Sequence, residues 1–114
     1  MKALHDLPLP VSLRAAIQAV RHRLTAECSV ERLILFGSVV RGEADAESDA
    51  DLLIVRTEPP TAQVRDQITS LILDINLAYD TNLSELIVDR QTWDGGLPAA
   101  LPIHKAIEEE GIPL

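Results

Sequence analysis

The chain has 114 residues, of which 46% are apolar, 3% aromatic and 25% charged, a composition that predicts one globular domain over residues 1–114. So few aromatic rings disfavour a protein that binds nucleic acid by stacking bases. The 18 acidic and 10 basic side chains give a formal charge of −8, and a surface of that sign repels a phosphate backbone.

The cysteine content and the first residues predict a cytoplasmic location. Cys28 is the only cysteine and has no partner for an internal disulfide. Residues 1–13 contain two prolines and no basic start, so they do not predict a signal peptide. No apolar run reaches the ~18–20 residues of a membrane span. We therefore expect a soluble protein.

Two helices and two strands are predicted in the first two thirds of the chain. Residues 11–27 carry apolar side chains at three- and four-residue spacing, as an amphipathic helix requires. Strand one is predicted at Val30–Phe36 and strand two at Asp49–Val55, separated by the polar, turn-like residues 42–48. Thr61 then predicts the N-cap of a second helix that ends near residue 78.

A third strand and a last helix are predicted in the remainder. Leu83–Asp89 indicates a short strand, and residues 99–110 indicate a helix closed by Gly111. The predicted order is therefore αββαβα. Strands among helices in so short a chain predict an α/β (α+β) fold, a small mixed sheet with helices packed on it.

The strongest functional signal lies in residues 37–55, which read GSVVRGEADAESDADLLIV. Gly37 and Ser38 follow strand one, where a residue without a β-carbon lets the backbone approach a ligand and successive N–H groups can cradle phosphate oxygens. Asp49 and Asp51 are two residues apart on strand two, so alternation directs both carboxylates to one face. Like charges this close favour a cation between them.

Carboxylate oxygens suit Mg²⁺ or Mn²⁺, and paired ions can hold both the attacking and the leaving oxygen of an in-line displacement. Ten residues separate Gly37-Ser38 from Asp49-Ala50-Asp51, and Arg41-Gly42 and Ser48 lie between them. This arrangement resembles the signature of DNA polymerase β-like nucleotidyltransferases. The small size and the tail, residues 101–114, resemble the minimal nucleotidyltransferases in particular.

The resemblance implies a role for each matched residue. Gly37 and Ser38 would hold the triphosphate of ATP, and Asp49 and Asp51 would bind the metal ions. Arg41 is a candidate phosphate contact, with surface pairing to Glu43 or Glu47 as the alternative.

The family usually completes its site with a third carboxylate on a later strand, which binds metal or accepts the proton of the attacking hydroxyl. Strand three offers Glu85 and Asp89, which alternation places on one face. Glu85 is the preferred candidate because it lies inside the strand rather than at its exit. Neither residue stands in a clear Asp-Leu-Val match, so the third carboxylate is Glu85, Asp89 or absent.

The acceptor of the nucleotide is expected to be another protein, because the chain has no room for a helical substrate domain. The resemblance implies a helical HEPN-domain toxin as partner in a hetero-oligomer, with this chain as the antitoxin that adenylylates a toxin tyrosine. A second hypothesis is a nucleotide-binding module that inhibits its partner by stoichiometric contact without transfer. Transfer to a small-molecule hydroxyl is a third possibility.

Other polar and aromatic residues have weaker signals. The three histidines, His104 among them, share no ligand spacing and are expected at the surface or at helix ends. Trp93 either covers the edge of the core or marks an interface. The acidic run 108–110 predicts a solvated helix face, with an acidic patch for a basic partner as the alternative.

Overall fold

The computed structural model describes Leu4 and residues 7–41, 50–96 and 101–114. Within these ranges helices and strands are interspersed along the chain. Their order is α1 (Val11–Glu27), β1 (Arg32–Phe36), a 3-10 helix (Ser38–Arg41), β2 (Ala50–Arg56), α2 (Ala62–Tyr79), β3 (Leu83–Asp89), α3 (Arg90–Gly95), α4 (Pro102–Glu110) and β4 (Ile112–Pro113).

The strands form one mixed sheet in the order β3-β2-β1-β4. β1 runs antiparallel to both β2 and β4, whereas β2 and β3 are parallel. α2 connects the two parallel strands, as a parallel pair requires a crossover longer than a hairpin turn. β2 therefore lies inside the sheet, with a hydrogen-bonded neighbour on each side.

The first face of the sheet, defined here as the face on which α1 and α2 pack, contains the larger core. Alternate strand residues such as Leu35, Leu52 and Ile54 point to it and are fully buried. The apolar stripes of the two helices cover these side chains, because residues three and four apart fall on one side of a helix. The helix positions buried there are Leu13, Ala16, Ile17, Val20, Leu24, Ile68, Leu71, Ile72 and Ile75.

The second face, on which α3 and α4 pack, has a smaller core. Its buried cluster contains Ile34 and Leu53, with Phe36 and Val88 packed against it at partial exposure. Trp93 from α3 is 1% exposed, so this side chain belongs to the core and does not mark an interface. The remaining members of the cluster are Val55 and Ile107.

The predicted fold class is confirmed, and the element order is longer than predicted. α1 and β3 have the bounds predicted from the sequence, and Thr61 caps α2 by accepting a hydrogen bond from the Val64 N–H at 3.1 Å. α3 and β4 were not predicted, because six and two residues are too short to show a period. Gly111 ends α4 as predicted, with its N–H donating to the Ile107 carbonyl.

None of the helices in the described ranges is long and apolar enough to cross a membrane.

Candidate nucleotidyltransferase site

Asp51 lies at the start of β2, directly opposite Phe36, the last residue of β1. Paired residues of neighbouring strands point to the same face. Asp51 therefore belongs to the second face together with Phe36, while its neighbour Leu52 is buried on the first. The Asp51 carboxylate is half-buried and lies beside the C-terminal end of β1.

Ser84 on β3 orients the Asp51 side chain. The parallel register pairs the two residues, and the Ser84 hydroxyl donates a 2.6 Å hydrogen bond to Oδ1 of Asp51. A hydrogen bond to a charged acceptor is stronger than one between neutral groups. The contact therefore fixes the rotation of the carboxylate.

Asn76 of α2 fixes the register that brings Ser84 to Asp51. Its amide donates to the Leu83 carbonyl at 3.0 Å, and its carbonyl oxygen accepts from the Leu83 N–H at 2.8 Å. Both backbone groups of Leu83 are thus held by one side chain, immediately before Ser84. The first residue of β2, Ala50, donates to the Asn82 carbonyl at 3.0 Å and locks the same end of the strand pair.

Gly37 closes the site on the side opposite Ser84. Its φ of 91° lies in a region that residues with a β-carbon rarely adopt. A β-carbon at this position would also overlap Oδ2 of Asp51. The turn after β1 therefore requires glycine for two reasons, and it brings the backbone against the carboxylate.

The 3-10 helix that follows Gly37 presents Arg41 to the same region. Val39 and Val40 anchor this helix in the core of the first face. The Arg41 guanidinium is about half exposed and lies 3.6 Å from a carboxylate oxygen of Glu110 on α4. This ion pair keeps a cation beside the turn. Glu43 and Glu47, the glutamates named as alternative partners of Arg41, lie outside the described residues.

Two adjoining hollows open on this side of the molecule. One of about 350 Å³ is lined by Phe36, Asp51, Leu52, Ser84, Glu85, Leu86 and Ile103. The second, of about 180 Å³, is bounded by Gly37, Arg41 and Glu110 and shares Phe36 and Ile103 with the first. Their combined volume is in the range of small-molecule sites. Together they extend from Asp51 to Arg41.

Glu85 lines the same hollow as Asp51, but its carboxylate is bonded to α2 and not directed at Asp51. It pairs with Leu52 in the parallel register, and its carboxylate accepts a 2.9 Å hydrogen bond from Thr69 of α2. Its side chain therefore belongs to the first face. Asp89, at the end of β3, caps α3 by accepting from the Thr92 N–H at 3.0 Å. In this register the β3 residue that faces Asp51 is Ser84, and a third carboxylate in the site stays a prediction.

The remaining predicted residues are only partly described. Asp49 lies outside the described residues, and of Ser38 the structure describes only the backbone, at the start of the 3-10 helix. Sequence reasoning missed Ser84. The only signal that could have identified it is the register between β2 and β3, which a strand's own alternation does not contain.

The family model described as the nucleotidyltransferase domain matches residues 13–94, which include Gly37, Asp51 and Ser84. The chain belongs to this family. The match confirms the family and the enzyme class that were predicted from residues 37–55.

Two relatives agree with this assignment. A protein from Methanocaldococcus jannaschii named a putative protein adenylyltransferase is 41% identical over 58 residues, which are 51% of this chain and 59% of that protein. The alignment thus spans less than two thirds of the relative's length. A solved structure described as a putative minimal nucleotidyltransferase is 26% identical, with a TM-score of 0.61 and coverage of 99% of this chain and 97% of that one.

Proposed function

We propose that this chain transfers AMP from ATP to a side-chain hydroxyl of a partner protein. The observation that carries the proposal is the placement of Asp51, which Ser84 orients and which lies against the Gly37 turn beside two open hollows. Protein as the acceptor is supported by the name of the archaeal relative. It is also supported by a net charge of −8, which disfavours RNA.

Asp49 and Asp51 are the proposed ligands of Mg²⁺ or Mn²⁺. Strand alternation puts Asp49 on the face of Asp51 if β2 continues by one residue. Their hard oxygen atoms fit these ions, and Ser84 occupies only one of the two Asp51 oxygens. A bound ion would neutralise triphosphate charge that the acidic chain otherwise repels.

The nucleotide would lie along the two hollows, with its triphosphate beside the turn. The backbone after Gly37, the Ser38 hydroxyl and the Arg41 guanidinium are the proposed phosphate contacts. The acceptor oxygen would attack the α-phosphorus from the opposite side, the bond to the bridging oxygen would break, and pyrophosphate would leave. The hydroxyl proton would pass to water or to a base brought with the acceptor, because Glu85 faces α2.

A helical HEPN-domain toxin is the proposed partner, with this chain as its antitoxin in the cytoplasm. This part of the proposal rests on the resemblance to minimal nucleotidyltransferases. Exposed apolar residues beside the hollows, Leu86, Leu101 and Ile103, are 37–45% exposed. They offer a surface that an acceptor protein could cover.

A non-catalytic nucleotide-binding module is the second candidate, and one observation favours it. Among the described residues of β3, the position that faces Asp51 carries a hydroxyl rather than a carboxylate. A site with fewer acids could bind nucleotide and a partner without transfer.

The experiment that tests the proposal combines the purified chain, ATP labelled on the α-phosphate, Mg²⁺ and the protein that co-purifies with the chain. We expect label on the partner with the wild type. With Asp51→Asn we expect a loss of roughly 100-fold or more, because metal clamps contribute several kcal/mol to such transfers. Asp66→Asn, the same change at an exposed position of α2, should transfer normally.

The two candidates give opposite results in this assay. Label on the partner that Asp51→Asn abolishes supports transfer. Inhibition of the partner that survives Asp51→Asn, with no covalent label from the wild type, would contradict transfer and support the binding module. Calorimetry with ATP and Mg²⁺ on the same proteins separates loss of nucleotide binding from loss of chemistry.

A further inference from the structure

Three potential metal ligands lie together where α3 and α4 pack on the second face. Asp94 is contributed by α3, and His104 and Glu108 are one helical turn apart on α4. One ring nitrogen of His104 and one carboxylate oxygen from each acid lie within 4.8 Å of one another. None of these residues belongs to the proposed nucleotide site.

His104 has a buried ring nitrogen without a hydrogen-bond partner. Its Nε2 is buried and has no hydrogen-bond partner, alone in this respect among the side-chain atoms of the described residues. Its ring packs on Trp93 with centroids 4.5 Å apart and planes tilted by 35°. Leaving a buried polar atom unpaired costs about 1–3 kcal/mol. His104 lies in the first turn of α4 and is partly exposed, as expected of a helix-end histidine, while its Nε2 atom is buried.

Residues outside the cluster, Trp93 and Arg32, contact the carboxylates of Glu108 and Asp94. The Trp93 indole N–H donates a 2.8 Å hydrogen bond to Oε1 of Glu108, as outer donors often do for metal-binding carboxylates. Arg32 of β1 lies 3.6 Å from Glu108 and 3.9 Å from Asp94. Both separations exceed hydrogen-bond length, so the guanidinium balances charge without saturating the oxygens.

We propose that Asp94, His104 and Glu108 bind one divalent transition-metal ion of the zinc type. One ring nitrogen of His104 provides the nitrogen ligand, each acid provides one oxygen, and water takes the fourth position. Ligand atoms about 2.0–2.2 Å from a tetrahedral ion are roughly 3.3–3.6 Å apart. The side chains of Asp94 and Glu108 are exposed, which leaves them free to move to this spacing from their separation of up to 4.8 Å. An imidazole ligand favours zinc over Mg²⁺.

The chain contains its own probe for this site. Trp93 is the only tryptophan and contacts both His104 and Glu108. We would titrate the metal-free full chain with Zn²⁺ and follow Trp93 fluorescence, with calorimetry to count the ions. The expected result is a saturable change with one Zn²⁺ per chain and no change with Mg²⁺.

Variants distinguish this site from the Asp51 site. His104→Gln and Asp94→Asn should each weaken Zn²⁺ binding at least roughly tenfold, since losing even an outer-shell partner costs about 10–100-fold. His22→Gln, a matched change at an exposed position of α1, should bind Zn²⁺ as the wild type does. Asp51→Asn should also bind Zn²⁺ as the wild type does, although this variant should not transfer AMP.

Two outcomes would overturn the proposal: no saturable Zn²⁺ binding by the wild type, or equal affinity in the wild type, His104→Gln and Asp94→Asn. Either result would mean that Arg32 and the two acids form an ion-pair network only. Circular dichroism of each variant shows that it is folded, and the exposed Asp94 provides a test that leaves the Trp93–His104 contact intact. Zn²⁺ binding and AMP transfer are measured separately, so either can fail while the other holds.

Discussion

The two faces of the sheet differ in how completely helices cover them. On the first face, two long helices bury a continuous core of leucine, isoleucine and valine side chains. On the second face, short helices cover a cluster of five buried residues, and Leu86 and Ile103 are 37% and 44% exposed beside Asp51. The same β2 strand contributes fully buried side chains to both faces.

The well-covered first face thus supplies most of the buried apolar core, whereas the candidate site lies on the second face. A sheet covered on one face has enough buried apolar area to fold, which leaves the other face free to keep polar groups and open space. The site's carboxylate, glycine turn and arginine lie at the poorly covered edge of the second face.

The first prediction compares stability on the two faces. Ile54→Ala removes a side chain that is 0% exposed on the first face and should lower the free energy of unfolding by about 2–5 kcal/mol. Leu86→Ala, at a 37% exposed position of the second face, should cost about 1 kcal/mol or less. Urea denaturation followed by circular dichroism measures both. Equal costs would show that the second face is as well covered as the first.

The second prediction concerns the turn against Asp51. Gly37→Ala should cost about 1–3 kcal/mol of backbone strain at a φ of 91°, and its β-carbon should displace the carboxylate and lower AMP transfer. Gly95→Ala is the matched control, because a β-carbon there meets no atom within 4 Å. Thermal unfolding and the labelled-ATP assay measure the two effects. Normal transfer by Gly37→Ala would exclude a role for this contact.

The third prediction uses neighbours that point to opposite faces. Ser84→Ala removes the donor to Asp51 and should lower kcat about tenfold or more, because hydrogen bonds to charged groups contribute about 1.5–3 kcal/mol. Glu85→Gln changes a side chain bonded to Thr69 of α2 and should leave kcat nearly unchanged. If Glu85→Gln is instead the inactive variant, the acid acts in the reaction and must turn toward Asp51.

The fourth and smallest prediction concerns the start of α3. Hydrogen bonds from Thr92 to the Asp89 carboxylate lower the pKa of this group below its ordinary value of 3.8. The cap therefore stabilises the fold above pH 3.8, and this contribution is lost as pH falls through the lower folded-state pKa. Asp89→Asn keeps an acceptor oxygen but cannot titrate. Its unfolding midpoint should thus fall less between pH 5 and 3 than that of the wild type, and equal slopes would contradict the assignment.

Much of the fold and part of the site could be predicted from local patterns. The apolar period of residues 11–27, the breakers around β2 and the alternation in Leu83–Asp89 are properties of single segments. Gly37 and Asp51 are recognisable because their spacing lies within one short stretch of chain. α3 and β4 are too short to produce such a pattern, and they form because the second face and the edge of β1 are available to them.

The face to which each β3 side chain points was decided by tertiary structure. Alternation shows that Ser84 and Leu86 share one face and that Glu85 and Asp89 share the other. It does not show which face contains Asp51, because both sets of positions in β3 include apolar residues. The parallel pairing with β2 settles this by placing Ser84 opposite Asp51.

The sequence by itself determined the family, the α/β fold class and the residues of the glycine turn, because these depend on spacing within short segments. The tertiary structure alone decided that Ser84 rather than Glu85 meets Asp51, and that His104 lies between Asp94 and Glu108. The physical reason is that contacts between distant segments depend on strand register and helix packing. One residue of slip in β3 would exchange its two faces.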